Sequence, residues 1–139
     1  MGVTNAVKQE AKFKKKIEKF YVATKECMHK KGECPIKDVL APTVDKWSLF
    51  CMYNLAYVDL IRFNDLKKKI PGISSRMLSV TLKKLEQAKL INRKLYPEVP
   101  PRVEYSITSF GKAYAEKLLD LNLWLFDNRS KFDSVKNLV

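Results

Sequence analysis

Residues 95–108 read LYPEVPPRVEYSIT, so three prolines, Pro97, Pro100 and Pro101, fall between two runs that suit β-strands. No other feature constrains the fold as strongly. Proline fixes φ at a negative value and has no N–H to donate, so it cannot sit inside a sheet ladder. A tight hairpin would carry Asn-Gly or Gly at its tip, because its favoured turns need positive φ. The spacing therefore predicts a hairpin with a stiff, protruding loop. Its return strand is clear: Val103, Tyr105 and Ile107 alternate with Arg102, Glu104 and Ser106. In the outgoing strand, residues 90–96, Arg93 breaks the alternation.

The rest of the chain is helical in pattern. Phe13, Ile17, Phe20, Tyr21, Thr24, Cys27 and Met28 make one apolar stripe over a helix at 4–31, and lysines crowd its other faces. Pro35 suits the first turn of a short helix ending before Pro42. Asp45 can cap a third helix with Trp47, Phe50, Cys51, Tyr53 or Asn54, and Leu55 on its core side. Residues 58–61 allow only a brief strand. Residues 62–70 suggest a short helix with Phe63, Leu66 and Ile70 inward, closed by Pro71-Gly72. Ser74 or Ser75 then caps a helix with Leu78, Leu82 and Leu85 on one face, and Thr108 caps a last helix to about 128. The expected fold is mainly α with a small β-hairpin, a winged helix-turn-helix with long terminal dimerisation helices. The expected division is 1–33 as an N-terminal dimerisation helix, 34–112 as the winged domain, and 113–139 as a C-terminal dimerisation helix and tail.

Charge indicates what such a fold would meet. The formal net charge is +12, and residues 61–102 alone carry eleven cationic against three anionic side chains. That local excess suits a polyanion, with double-stranded DNA the leading partner and an acidic membrane surface the second. With the leucines of helix 74–89 buried, Arg76, Ser79, Val80 and Lys83 turn outward. Arg76 suits a bidentate contact to guanine, Val80 a thymine methyl, and Ser74, Ser75 and Ser79 phosphates or base edges. Lys67, Lys68, Lys69, Lys83 and Lys84 would neutralise phosphates. Lys94 and Arg102 flank the loop of Pro100 and Pro101 and would reach the backbone there.

The segments CPIKDVL, DKWSLFCMYNLA, RFNDLKKKIPGISSRMLSVTLKKLEQAKLINR and YPEVPPRVEYSITSFGK resemble the HxlR family of winged helix-turn-helix transcriptional regulators. The resemblance spans roughly 34–112 and is most specific in RFNDL, ISSRML and VPPRVEYS. It implies a cytoplasmic homodimer on a palindromic or pseudo-palindromic operator, with Ser75, Arg76 and Ser79 in the major groove. It also implies that Pro100, Pro101 and Arg102 approach the minor groove, and it places a sensor cysteine at Cys34. The chain departs from the family pattern at Val80, where a polar residue is common. It departs also in the loop after the Trp47 helix and in its longer N-terminal helix.

The remaining residues add a partner and remove several functions. Residues 118–126, LLDLNLWLF, are apolar on nearly all faces, so Leu118, Leu121, Trp124 and Leu125 are expected to join Phe13, Ile17, Phe20 and Tyr21 at a two-fold interface. Cys27 and Cys51 read as buried hydrophobes. Cys34 would cap a helix beside lysines, a setting that favours thiolate, which makes it the candidate redox sensor and an oxidant or small molecule a conceivable inducer. Cys27, His29 and Cys34, with Cys51 as a fourth, could serve as metal ligands only if residues 27 and 29 were not both helical, so neither metal nor cofactor is expected. One histidine, four scattered glycines and no paired carboxylates speak against an enzyme. No run is long enough for a membrane span and the N-terminus does not read as a signal peptide, so the cytoplasm is expected. The rival from another class is a helical protein–protein module with a basic docking face.

Overall fold

The computed structural model describes residues 2–29, 34 and 36–132, with the backbone alone for 26–29. Along the chain run α1 (Gly2–His29), a π-helical turn (Ile36–Leu40), α2 (Ala41–Thr43), α3 (Lys46–Tyr57), β1 (Ile61–Arg62), α4 (Phe63–Lys69), α5 (Ser75–Gln87), β2 (Ile91–Tyr96), β3 (Arg102–Ile107) and α6 (Ser109–Asp127). Two units emerge, Met1–Ala41 and Pro42–Val139. α6 belongs to the second unit.

In the first unit, α1 follows the expected stripe, and Phe13, Phe20 and Tyr21 on it are exposed. An exposed Glu10–Lys14 pair at 3.5 Å, one turn apart, adds a few tenths of a kcal/mol at most. The expected residues 30, 31 and 35 lie outside the described ones, as do the side chains of Cys27, Met28 and His29. Asp38 folds back on the turn before it: its carboxylate accepts the Cys34 N–H at 2.7 Å, while its own N–H donates to the Cys34 carbonyl at 2.7 Å.

The second unit is built from local capping and one shared core. Asp45, Ser74 and Thr108 each accept a backbone N–H three residues on, from Ser48, Met77 and Gly111, and so start α3, α5 and α6. Pro42 does not end a helix as expected. It lies inside α2, which follows directly on the π-helical turn, and the helical stretch ends one residue later at Thr43. On α3 the core side is Ser48, Cys51, Met52 and Leu55, whereas Phe50, expected inward, is exposed. Burial and the nearby Asp45 charge push the Cys51 thiol up to about 12, so it stays protonated at neutral pH.

Leu78, Leu82 and Leu85 of α5 enter the same core with Leu66, Ile70 and Ile73 of the preceding helix and turn. Lys89, at φ 60, ends α5 in a left-handed conformation. Its N–H donates to Glu86 O at 2.9 Å and that of Leu90 to Leu85 O at 3.0 Å, a Schellman closure sealed by buried Leu85 and Leu90. The sheet is antiparallel in the order β1-β3-β2. Its third strand, β1, is two residues long and pairs Ile61 with Tyr105 and Arg62 with Glu104. Contrary to a simple alternation, Glu104 on the outer face is buried along with Tyr105 on the inner one.

α6 packs back on α3 through Ala115 and Leu118, and the Asn122 side-chain amide donates to the Tyr53 hydroxyl. Its start is clamped to the beginning of β2: the Thr108 N–H and hydroxyl both lie 3.0 Å from Leu90 O. Gly111 is required at this joint, since a Cβ there would stand 1.9 Å from the same carbonyl oxygen.

Candidate nucleic-acid interface

α4 and α5 are joined by a turn that Gly72 makes possible, since its φ of 83 is one that side chains rarely adopt. Ile70 and Ile73 on either side of Pro71-Gly72 are buried and fix the angle between the two helices. With one face of α5 in the core, its 3.6-residue period presents Ser75, Arg76, Ser79, Val80 and Lys83 outward, and all five are exposed. Ser74 spends its side-chain oxygen on the cap, accepting the Met77 N–H at 3.0 Å. Lys68 and Lys69 are exposed at the end of α4, and Lys67 is half-buried. Those three cations stand in the last turn of α4, where the carbonyl end of the helix favours positive charge.

Lys84 is not one of the outward cations. Its ammonium donates to Asp45 Oδ2 at 2.7 Å and ties α5 to the start of α3. Partial burial works against the Asp45 charge, but hydrogen bonds from Lys84 and Ser48 and the ammonium itself outweigh it. The carboxyl is held below the ordinary value of 3.8.

The hairpin is a wing whose loop, residues 97–101, is exposed throughout, with a cis bond between Val99 and Pro100. Pro100 and Pro101 stand at its tip and Lys94 is exposed on the outgoing strand. Arg102 is different: it is half-buried at the wing's base. Its Nη2 lies 3.3 Å from Glu98 Oε1, its Nε 3.4 Å from Glu104 Oε1, and its guanidinium carbon 4.0 Å from the Tyr96 ring centre. Between the start of α4 and the wing lies a groove of about 620 Å3 lined by Arg62, Asn64, Asp65 and Lys68 on one side and residues 98–103 on the other.

Glu98, Glu104 and Tyr96 were missed by sequence reasoning. The signal was present: a five-residue loop makes Tyr96 and Arg102 cross-strand partners, and Lys94 and Glu104 the next pair on that face.

The residues expected at an interface between copies divide. Leu118 is turned into the core of its own chain because it faces α3, while Leu121 and Trp124 are exposed and Leu125 is half-buried. Trp124 meets Phe132 edge-on at 6.2 Å. On α1, Ile17 is half-buried beside the exposed aromatic residues. Among the described residues no group of His, Cys, Asp and Glu could hold a metal ion, and no helix is long and apolar enough to cross a membrane.

A family profile described as HxlR-like helix-turn-helix matches residues 43–132. YtfH of Escherichia coli (strain K12), named as an uncharacterized HTH-type transcriptional regulator, is 40% identical over 93 residues, which are 67% of this chain and 73% of that protein. Among solved structures, the redox regulator HypR in its reduced form superposes with a TM-score of 0.64 at 33% identity, covering 73% of this chain and 99% of that one. The reduced form of the transcriptional regulator YodB from B. subtilis gives 0.57 at 28% identity, over 68% and 92% of the two chains.

Proposed function

The chain belongs to the HxlR-like helix-turn-helix family, and from that we propose that it is a cytoplasmic, sequence-specific DNA-binding transcriptional regulator acting as a homodimer. The observation that carries this reading is the ridge of Arg76, Ser79, Val80 and Lys83. It stands clear of the core on a helix whose opposite face is fully buried, beside a stiff wing. In the reading, α5 lies in the major groove. Arg76 pairs with a guanine edge, while Ser75, Ser79 and Lys83 hold phosphates or base edges. Lys67, Lys68, Lys69 and Lys94 neutralise backbone charge, and Pro100 and Pro101 bring the wing to the adjacent backbone or minor groove. Two copies facing a pseudo-palindromic operator would set their α5 helices about one DNA turn, ~34 Å, apart. Exposed Leu121 and Trp124 on α6 and the aromatic stripe of α1 supply apolar surface for pairing.

The test is duplex binding over a salt series. A regulator binds with affinity that falls steeply as salt rises, yet keeps a sequence preference at about 150 mM. Salt-sensitive binding with no preference among a random pool of duplexes would leave only a basic docking face.

A second reading, thiol control of the same regulator, is favoured by the likeness to HypR and by the place of Cys34 at a helical turn. The Asp38 carboxylate, however, already occupies the Cys34 N–H, one of the donors that would stabilise a thiolate there. Oxidant that changes DNA affinity in the wild type but not in Cys34→Ser supports this reading, and equal affinity before and after oxidation removes it.

A further inference from the structure

Arg102 is held from two sides, and the two carboxylates differ in kind. The Glu104 side chain is 9% exposed, while that of Glu98 is 53% exposed. Register explains why Glu104 is covered. It stands on the middle strand, directly opposite Arg62 on β1 and Lys94 on β2, and Arg102 is two residues before it on the same face. The outer face of the sheet is thus a layer of cations around one carboxylate. Tyr96, opposite Arg102, completes it, with the Lys94 ammonium 4.9 Å from the ring centre whose other cation is the guanidinium. Glu98, in contrast, stands in the exposed loop of the wing and lines the groove that opens beside α4.

A guanidinium has five donors. Here Nε is buried with no hydrogen-bond partner among the described residues, and the two ion pairs at 3.3 and 3.4 Å are loose for charged hydrogen bonds. The group is therefore placed by its buried Nε side, and the Nη side next to exposed Glu98 is the edge a ligand could reach. A phosphate oxygen arriving at the groove would find the guanidinium already oriented and would compete with the exposed carboxylate alone.

We propose that Glu104 is a positioning residue that fixes Arg102 across Tyr96 as the wing's phosphate contact, and that Glu98 is the carboxylate which the DNA backbone displaces. Arg102 then acts at the wing's base and does not reach from its tip. The proposal rests on the DNA-binding reading above and deepens it.

The sign of two neutralising substitutions separates positioning from bulk charge. Removal of any negative charge near a DNA-binding face tightens binding by simple electrostatics. Glu98→Gln is expected to do so, lowering Kd about two- to fivefold, since an exposed competing pair is lost. Glu104→Gln is expected to do the reverse and raise Kd at least about threefold, because the guanidinium loses its buried anchor. Arg102→Lys, which keeps the charge but not the planar fork, should weaken binding as Glu104→Gln does.

Each full-length protein is titrated against a random-sequence duplex of about 30 base pairs over a salt series, with thermal unfolding measured in parallel. Opposite shifts for Glu98→Gln and Glu104→Gln, at an unchanged unfolding temperature for Glu98→Gln, support the proposal. Shifts of the same sign, or a Glu98→Gln protein that binds no tighter than the wild type, overturn it. Should Glu104→Gln not fold, Arg102→Lys takes its place: weaker binding at unchanged charge supports the proposal, and binding as tight as the wild type overturns it. A wild type that binds no duplex would instead defeat the DNA-binding reading itself.

Discussion

The ammonium of Lys84 sits 2.7 Å from Asp45 Oδ2, and the same carboxylate caps α3 through the Ser48 N–H and hydroxyl. One side chain therefore starts a core helix and fixes the helix that carries the proposed recognition ridge.

Asp45→Ala should lower stability by about 1–2 kcal/mol, because cap and ion pair go together. Asp45→Asn keeps a capping oxygen and should cost less than about 1 kcal/mol, since the Asp45 side chain is more than a third exposed and solvent screens the pair. The wild-type carboxyl is depressed in the folded state, so its contribution is complete above the ordinary value of 3.8 and is lost as pH falls through the lower folded value. Denaturant unfolding between pH 3 and 6 checks this: the gap between the wild type and Asp45→Asn should close on the acid side.

Arg76→Ala should cost about 1–3 kcal/mol on the preferred duplex and much less on others, flattening the preference. Lys68→Ala should weaken all duplexes alike and reduce the salt slope by about one. Both side chains are exposed, so circular dichroism spectra should stay as in the wild type. Equal losses from the two substitutions on every sequence would remove Arg76 from base reading.

If the proposed homodimer pairs through this face, Leu121→Lys should leave a monomer at micromolar concentration where the wild type is a dimer, measured by sedimentation. The side chain is 53% exposed within one chain, so stability should otherwise change by no more than about 0.5 kcal/mol. An unchanged mass would exclude this part of α6 from the contact between copies.

Gly111→Ala should be among the most damaging single methyl additions in the protein, costing about 3 kcal/mol or more. The added Cβ falls 1.9 Å from Leu90 O and 2.8 Å from Leu90 C, and neither is a flexible atom. Thermal unfolding measures the loss, and a shift of less than a few degrees would contradict the close approach.

What could be read in the chain beforehand was local. The oxygen caps at Asp45, Ser74 and Thr108 were legible because a cap needs only its own turn. The leucines of α5 were legible because their period reports one buried face. The strand at Ile61–Arg62 was barely so, since two residues carry no period and exist as a strand only through Tyr105 and Glu104. Buried Glu104 was illegible for a related reason. Alternation assigned it outward, correctly, but it lies between Arg62 and Lys94 of the two flanking strands, and that placement depends on register. Lys84 looked like its neighbour Lys83, and only the position of Asp45, thirty-nine residues away, distinguishes them. On α3, Met52 and Phe50 are equally apolar, and the packing of α5 and α6 decides which is buried.

The joint at Leu90 has a mechanical consequence. A single carbonyl there receives the Thr108 N–H and hydroxyl and leaves no room for a side chain at Gly111, so α6 and the hairpin are riveted at one point. From that rivet α6 extends nineteen residues, a rod of ~28 Å. Because Asn122 near the far end is bonded to Tyr53 of α3, a grip on Trp124 pulls on α3 and on the start of the hairpin together.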